Sequence, residues 1–268
     1  MATLVFFHAH PDDESIATGG TMAKYAAAGH RVVLVLATSG EHGEVPPDLA
    51  PGETLGDRRR AETERSAQAL GIQAVHWLGY EDSGMHGWEQ NGNPACFHAA
   101  DTDEAARRLA AILAAESAEV LTTYDWHGNY GHPDHVKVHH VGHRAALQAG
   151  TPHVYEATMN RDHIVRLMAE DRDRGQLSRP DGEEFDPNDT DDGVPFGMAE
   201  AELTTAVDVS AFIDRKRASM ACHASQITDS SFFLQMPPET FLRAFGFEWY
   251  IRRGAAPGIH EYDLAGLG

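Results

Sequence analysis

Two short runs of this 268-residue chain concentrate the residue types that hold metals and move protons. The first is His8-Ala9-His10-Pro11-Asp12-Asp13-Glu14, with three carboxylates and two imidazoles. The second is Tyr124-Asp125-Trp126-His127-Gly128-Asn129-Tyr130-Gly131-His132-Pro133-Asp134-His135. A catalytic zinc commonly takes three protein ligands from His and Asp or Glu and leaves a position for water. His10 and Asp13, with His135 from the second run, supply that set. The same donors suit iron(II), and zinc is the expected cofactor. Zinc acidifies a bound water and polarises a carbonyl, after which the reaction needs a base near the water and an acid near the leaving group. Asp12, adjacent to a ligand but expected to point elsewhere, suits the base. His132 suits the acid, with Asp134 orienting its ring, and Tyr130 is placed to stabilise a developing oxyanion. A lone His-x-x-Asp pair is common by chance, whereas two such blocks at strand ends are specific. His139 and His143 continue the helical face of His135 and are read as packing or surface residues, since three ligands suffice.

Elements must bring the two runs together. Apolar, β-rich segments recur at Thr3–His8, Arg31–Ala37, Ala74–Leu78, Val120–Tyr124 and His153–Ala157. Between them, residues 15–28, Arg58–Leu70 and Asp103–Glu116 have helical character, the first two stopping at Gly29 and Gly71. Strands alternating with helices predict an α/β, Rossmann-like fold: a mostly parallel sheet with helices on both faces. The two runs follow the first and fourth strands, so both open onto the crevice at the carboxyl ends of neighbouring strands. A catalytic core is expected over 1–160, with a smaller C-terminal α/β extension over 161–268. There, Thr204–Val209 reads as a strand, Ser210–Ala224 as a helix, and Phe241–Ile251 as a short helix or turn running into a final strand. Segment 178–202, with nine acids, three prolines and three glycines, reads as a surface loop in preference to a catalytic lid, within an extension that helps close the substrate cleft.

Composition removes other classes. Forty-one acids against 21 bases give a formal charge of −20, which argues against tracking nucleic-acid phosphates or an anionic membrane. Two cysteines, Cys96 and Cys222, exclude a disulfide framework. No run approaches a membrane span and no signal-peptide pattern opens the chain, so a cytoplasmic protein is expected, its oligomeric state open.

At these residues the chain resembles the zinc-dependent N-deacetylase family of the N-acetylglucosaminylphosphatidylinositol de-N-acetylases (PIG-L, LmbE-like) and the bacterial mycothiol-pathway deacetylases and amidases. The blocks Ala9-His10-Pro11-Asp12-Asp13-Glu14 and His132-Pro133-Asp134-His135 carry the likeness. Gly40-Glu41-His42-Gly43-Glu44, Arg59-x-x-Glu62, Asp82-Ser83-Gly84-Met85, Lys216-Arg217 and His223-Ala224-x-Gln226 extend it over nearly the whole chain. The resemblance implies the same roles for His10, Asp13, His135, Asp12, His132, Asp134 and Tyr130 as above. It adds Arg59, Asp82, Met85 and Glu41 as contacts to an N-acetylated amino-sugar substrate, against a solvated helix face for Arg59 and a turn cap for Asp82-Ser83. The implied reaction removes acetate from an N-acetylglucosaminyl-inositol-like conjugate. One alternative is an amidase acting on a mycothiol or natural-product conjugate; that branch carries a lysine where this chain has Ala17, and residues 86–100 match neither branch. Another is a non-catalytic sugar- or nucleotide-binding module, although Thr18-Gly19-Gly20 is not a Gly-x-Gly-x-x-Gly fingerprint.

Overall fold

The computed structural model describes residues 1–173, 186–188 and 192–268, so part of segment 178–202 lies outside the described residues. In chain order the first elements are β1 (Thr3–His8), α1 (Asp13–Ala17), α2 (Gly19–Ala27), β2 (Arg31–Thr38), α3 (Leu55–Leu70), β3 (Ala74–Tyr80), α4 (Thr102–Ala115) and β4 (Val120–Tyr124). There follow α5 (Gly128–Gly131), α6 (Pro133–Ala149), β5 (His153–Thr158), α7 (Arg161–Asp173) and β6 (Thr205–Asp208). The chain closes with α8 (Ile213–Cys222), α9 (Phe232–Gln235), α10 (Pro238–Phe245) and β7 (Phe247–Arg252).

Among the described residues the strands make one seven-stranded sheet in the order β3-β2-β1-β4-β5-β7-β6. The first five run parallel, while β7 is antiparallel to both β5 and β6. Every residue of β1 after Thr3 and of β2 after Arg31 is buried. A sheet covered on both faces has this continuous apolar signature, which is why these strands stand out in the sequence. β1 sits between β2 and β4, so the loops leaving β1 and β4 part at the switch point of the sheet.

Element limits move where tertiary contacts intervene. The helical stretch 15–28 divides into α1 and α2 at Thr18, whose φ of −137° is not helical and whose hydroxyl bonds the His8 ring at 2.9 Å. Helix α3 begins at Leu55, ahead of Arg58, because Thr54 and Asp57 form a reciprocal capping box. The helix expected over 210–224 is regular only from Ile213 to Cys222, and 241–251 resolves into the end of α10 and β7. Helix α7 was not anticipated.

The C-terminal strands extend the same sheet and also lock the N-terminal motif. The Glu248 carboxylate, from β7, accepts the Gly20 and Thr21 N–H groups at 2.8 Å each, at the N-terminus of α2, and pairs with Lys216 Nζ at 2.5 Å. An anion at a helix N-terminus satisfies donors that have no partner within the helix and complements the dipole. Gly20 is required there, since a Cβ would lie 2.5 Å from Val209 Cγ2. The small residues after the first motif therefore serve close packing and an internal carboxylate, in the place where a nucleotide-binding module would seat a phosphate.

Both Glu248 and Lys216 are almost wholly buried. Glu248→Ala is expected to cost about 3–5 kcal/mol in denaturant unfolding, because it strands a buried ammonium. Glu248→Gln should cost less. Equal stability of Glu248→Ala and wild type would show that Lys216 finds water or another partner.

Candidate metal centre and active site

Each expected ligand is placed by a different local device. His10 and Asp13 lie on the tight turn from β1 into α1, where the His10 N–H donates to Asp13 Oδ2 at 2.9 Å. His135 is in the first turns of α6, and its Nδ1 bonds the Gly128 carbonyl at 3.2 Å. That contact assigns the proton to Nδ1 and leaves the Nε2 lone pair free. Gly128 has φ +63°, and a Cβ there would lie 2.4 Å from His135 Cβ, so the glycine is what admits the ring.

The three converge on one oxygen: Asp13 Oδ2 is 3.4 Å from His10 Nδ1 and 3.3 Å from His135 Nε2. His135 Nε2 is buried without a hydrogen-bond partner. An orphaned imidazole lone pair beside a carboxylate and a second imidazole fits a cation. Although burial opposes ionisation, the His135 and His10 rings hold the Asp13 carboxyl well below the usual carboxylate range, as a ligand requires. A ring nitrogen of His132 joins those of His10 and His135 within 4.8 Å, so His132 borders the same centre.

The neighbours of these ligands differ in part from the sequence expectation. The Asp134 carboxylate does not orient the His132 ring. It accepts from His10 Nε2 at 3.2 Å, from the Ser83 N–H at 2.9 Å, and from the Ser83 hydroxyl. Asp134 touches His132 through its backbone, whose N–H donates to His132 Nδ1 at 3.1 Å. The reason is geometric: His132 is the N-cap of α6, so its ring turns back onto the first helical turn. The remaining donor of His132 is then Nε2–H on a neutral ring. Burial, followed by the His10 and His135 charges, brings its pKa down to about 3.

Asp12 is set apart from Asp13 by its backbone. Its φ of +94° is rare outside glycine, and its N–H is held by Glu14 Oε2 at 2.9 Å. Burial, eased by Arg59 and reinforced by the Asp13 charge, pushes its pKa up to about 6. Glu14 is itself fully buried, accepting Ser66 Oγ and His223 Nε2 at 2.6 Å each through Oε1. Ser83, Glu14 and His223 are functional neighbours that motif reading did not assign. The Ser83 of Asp82-Ser83 was the available signal.

Of the four expected substrate contacts, three are engaged within the protein. Arg59 is buried, bonding the Gly40 carbonyl at 2.8 Å, the Pro11 carbonyl, and the Asp12 carboxylate at 3.1 Å. It is not a solvated helix face, and its guanidinium is spent on holding the Asp12 carboxylate and two carbonyls. Glu41 accepts from Ser39 Oγ at 3.0 Å and the Asp82 N–H at 3.1 Å. Asp82 accepts the N–H groups of His42 and Gly84 and lies 3.5 Å from His10 Nε2. Met85 alone of the four is exposed, beside the exposed Trp88.

Tyr130 is 41% exposed, with its ring 4.9 Å from that of His135. It leaves helical geometry after Asn129, whose φ is +66°. Two contacts hold the kink: Asn129 Oδ1 accepts the Met159 N–H, and its carbonyl accepts the Gly197 N–H. The described end of the acidic segment packs here, Phe196 stacking on Tyr130 and Asp192 bonding His127 Nε2 at 2.6 Å. Asp192 and Phe196 therefore wall one side of the site.

Similarity to known proteins agrees with this geometry. The family profile described as PIG-L, GlcNAc-PI de-N-acetylase, matches residues 5–146. A protein of Acidothermus cellulolyticus named 1D-myo-inositol 2-acetamido-2-deoxy-alpha-D-glucopyranoside deacetylase is 40% identical, covering 96% of this chain and 90% of its own. The solved N,N'-diacetylchitobiose deacetylase of Pyrococcus horikoshii has 23% identity and a TM-score of 0.59, covering 93% of this chain and 83% of its own. GalB, the 4-carboxy-2-hydroxymuconate hydratase of Pseudomonas putida, has 18% identity and a TM-score of 0.58, covering 95% and 97%. These two structures share the fold alone, and the fold hosts more than one reaction.

Removing a hydrogen-bond partner of a metal-binding histidine typically costs about 10–100-fold in affinity. Asp134→Asn is expected to weaken zinc binding by that factor, measured by chelator competition, with little change in melting temperature. Unchanged affinity would mean that Asp134 does not act through His10.

Proposed function

Since the chain belongs to the PIG-L family of de-N-acetylases, we propose that it is a metal-dependent hydrolase that removes the acetyl group from an N-acetylglucosamine-type conjugate, with an N-acetylglucosaminyl-inositol as substrate. The observation that carries the reading is Asp13 Oδ2 lying 3.3–3.4 Å from two imidazole nitrogens, while the adjacent Asp12 is diverted by its backbone. Supporting it, the Acidothermus cellulolyticus relative named for this deacetylation is similar over 96% of the chain.

His10, Asp13 and His135 would hold zinc, which supplies an acidified water and a polarised acetyl carbonyl. Asp12, fixed by Glu14 and Arg59, takes the proton from the attacking water. The Tyr130 hydroxyl donates to the oxygen that gains charge. A phenol keeps its proton well above neutral pH, so the hydroxyl retains the proton with which it hydrogen-bonds. His132, its Nδ1 engaged by the Asp134 N–H, offers Nε2–H toward the departing nitrogen. The proton gathered by Asp12 passes to that nitrogen as the C–N bond breaks, His132 staying neutral as a hydrogen-bond donor, and the second proton of the water leaves with acetic acid, which ionises to acetate.

A conjugate amidase is the second reading, favoured by the exposed apolar groups Met85, Trp88, Trp126 and Tyr130 near the two loops, which could receive a larger substituent. A phosphate-binding module is disfavoured by Glu248 at the α2 N-terminus.

His135→Ala is expected to lose zinc and acetate release together. Asp12→Ala should retain zinc and lose about 10²–10⁴-fold in kcat. Wild-type turnover by Asp12→Ala would remove it as the base. Faster cleavage of a thiol conjugate than of N-acetylglucosaminyl-inositol would favour the second reading.

A further inference from the structure

One turn beyond His135 on α6 lies a second group of metal-ligating side chains that the proposed reaction does not use. His139 and His143, four residues apart, stand on one face of the helix. Their rings are 4.5 Å apart between centroids. Opposite them, β5 presents Glu156, whose carboxylate Oε1 is 2.7 Å from His143 Nε2 and 3.9 Å from His139 Nδ1. One ligand atom from each of the three residues lies within 4.8 Å of the others. All three side chains are partly open to solvent, 16–19% exposed, so an ion and its waters have access.

We propose that His139, His143 and Glu156 form a second site for a divalent ion of the zinc class, distinct from the His10–Asp13–His135 centre. Two neutral imidazoles and one carboxylate are a recurrent zinc donor set, with room for water in the remaining position. Tetrahedral zinc places its ligand atoms roughly 3.3 Å apart at bonds of about 2.0–2.1 Å, so the trio needs only side-chain adjustment. His139 Nδ1 also lies 3.0 Å from the Tyr124 carbonyl, a bond that puts the proton on Nδ1 and makes Nε2 the nitrogen free to ligate. In the metal-free protein His143 Nε2 and Glu156 share a hydrogen bond, which a bound ion would replace. The reading of His139 and His143 as packing or surface residues accounts for their position. It does not account for a carboxylate placed between them. The Tyr124 ring lies 4.8 Å from that of His135, so the second site is joined to the first through a single residue of β4.

The test is zinc stoichiometry on the metal-stripped full chain, by equilibrium dialysis against a zinc buffer with metal analysis, repeated with cobalt(II) and its visible spectrum. Wild type is expected to take up two equivalents. His143→Ala and Glu156→Gln should each take up one and keep deacetylation, while His135→Ala should take up the other and lose it. Glu156→Gln is near-isosteric and carries the test if His143→Ala unfolds. A single wild-type equivalent that His135→Ala removes would overturn the proposal, as would a second equivalent that survives both His143→Ala and Glu156→Gln. Loss of metal in Glu156→Gln together with full retention in His135→Ala would leave the second site standing and refute the catalytic centre instead.

Discussion

The Glu14 carboxylate is fully removed from water and binds three parts of the chain at once. It takes the Asp12 N–H in the first motif, Ser66 in α3 and His223 just after α8. A buried charge is tolerated only when opposed and hydrogen-bonded, and both conditions are met. Burial works against each ionised form, yet the partner's charge lowers the Glu14 pKa and raises that of His223. The structural return is at Asp12, where a backbone conformation that costs on the order of 1–3 kcal/mol is held by this bond. With Asp12 so turned, two adjacent aspartates have different surroundings, Asp13 between His10 and His135 and Asp12 against Arg59. The C-terminal segments are in this sense part of the motif.

Much of this arrangement was legible in the sequence, and what was not shares one cause. β1, β2 and β4 announce themselves because a doubly covered strand is apolar throughout. The two motif blocks are legible because each is contiguous. Arg58-Arg59-Arg60 shows the limit. Arg58 pairs with Asp48 and Glu53 on the surface, Arg59 is buried against Pro11, Gly40 and Asp12, and Arg60 stacks over Trp77 at 4.3 Å. Three identical side chains have three fates: Arg58 finds partners five and ten residues back, whereas those of Arg59 lie 19 and 48 residues away, where no local pattern records them. Asp134 is a similar case. Its place in the motif suggested His132 as partner, but the N-cap geometry of α6 turned that ring back and left the carboxylate to Ser83 and His10.

Seventeen histidines invite the thought that each is a ligand, and the structure sorts them by what their two nitrogens meet. His8 is bonded at both, to Tyr124 and Thr18, and burial takes its pKa down to about 4, so it is a neutral clamp between strand ends. His127 holds Asp192, and His163 bonds the Arg243 carbonyl. His135 differs from these: one nitrogen is fixed by a carbonyl, and the other is buried beside Asp13 without a hydrogen-bond partner.

The contact between β7 and α2 carries a consequence for how the protein is made. Both motif blocks have been made by residue 135. Glu14 meets His223 across 209 positions, and the α2 N-terminus meets Glu248 across 228. Contacts this distant in sequence form late and slow folding. A ribosome-bound chain therefore holds every proposed ligand and the base long before it holds a site, and its reactive histidines and aspartates stay unassembled until the final strand has emerged. The contacts that hold the first motif are therefore complete only once β7 is available, and a chain cut upstream of it would keep both motif blocks but lack Glu248 at the N-terminus of α2.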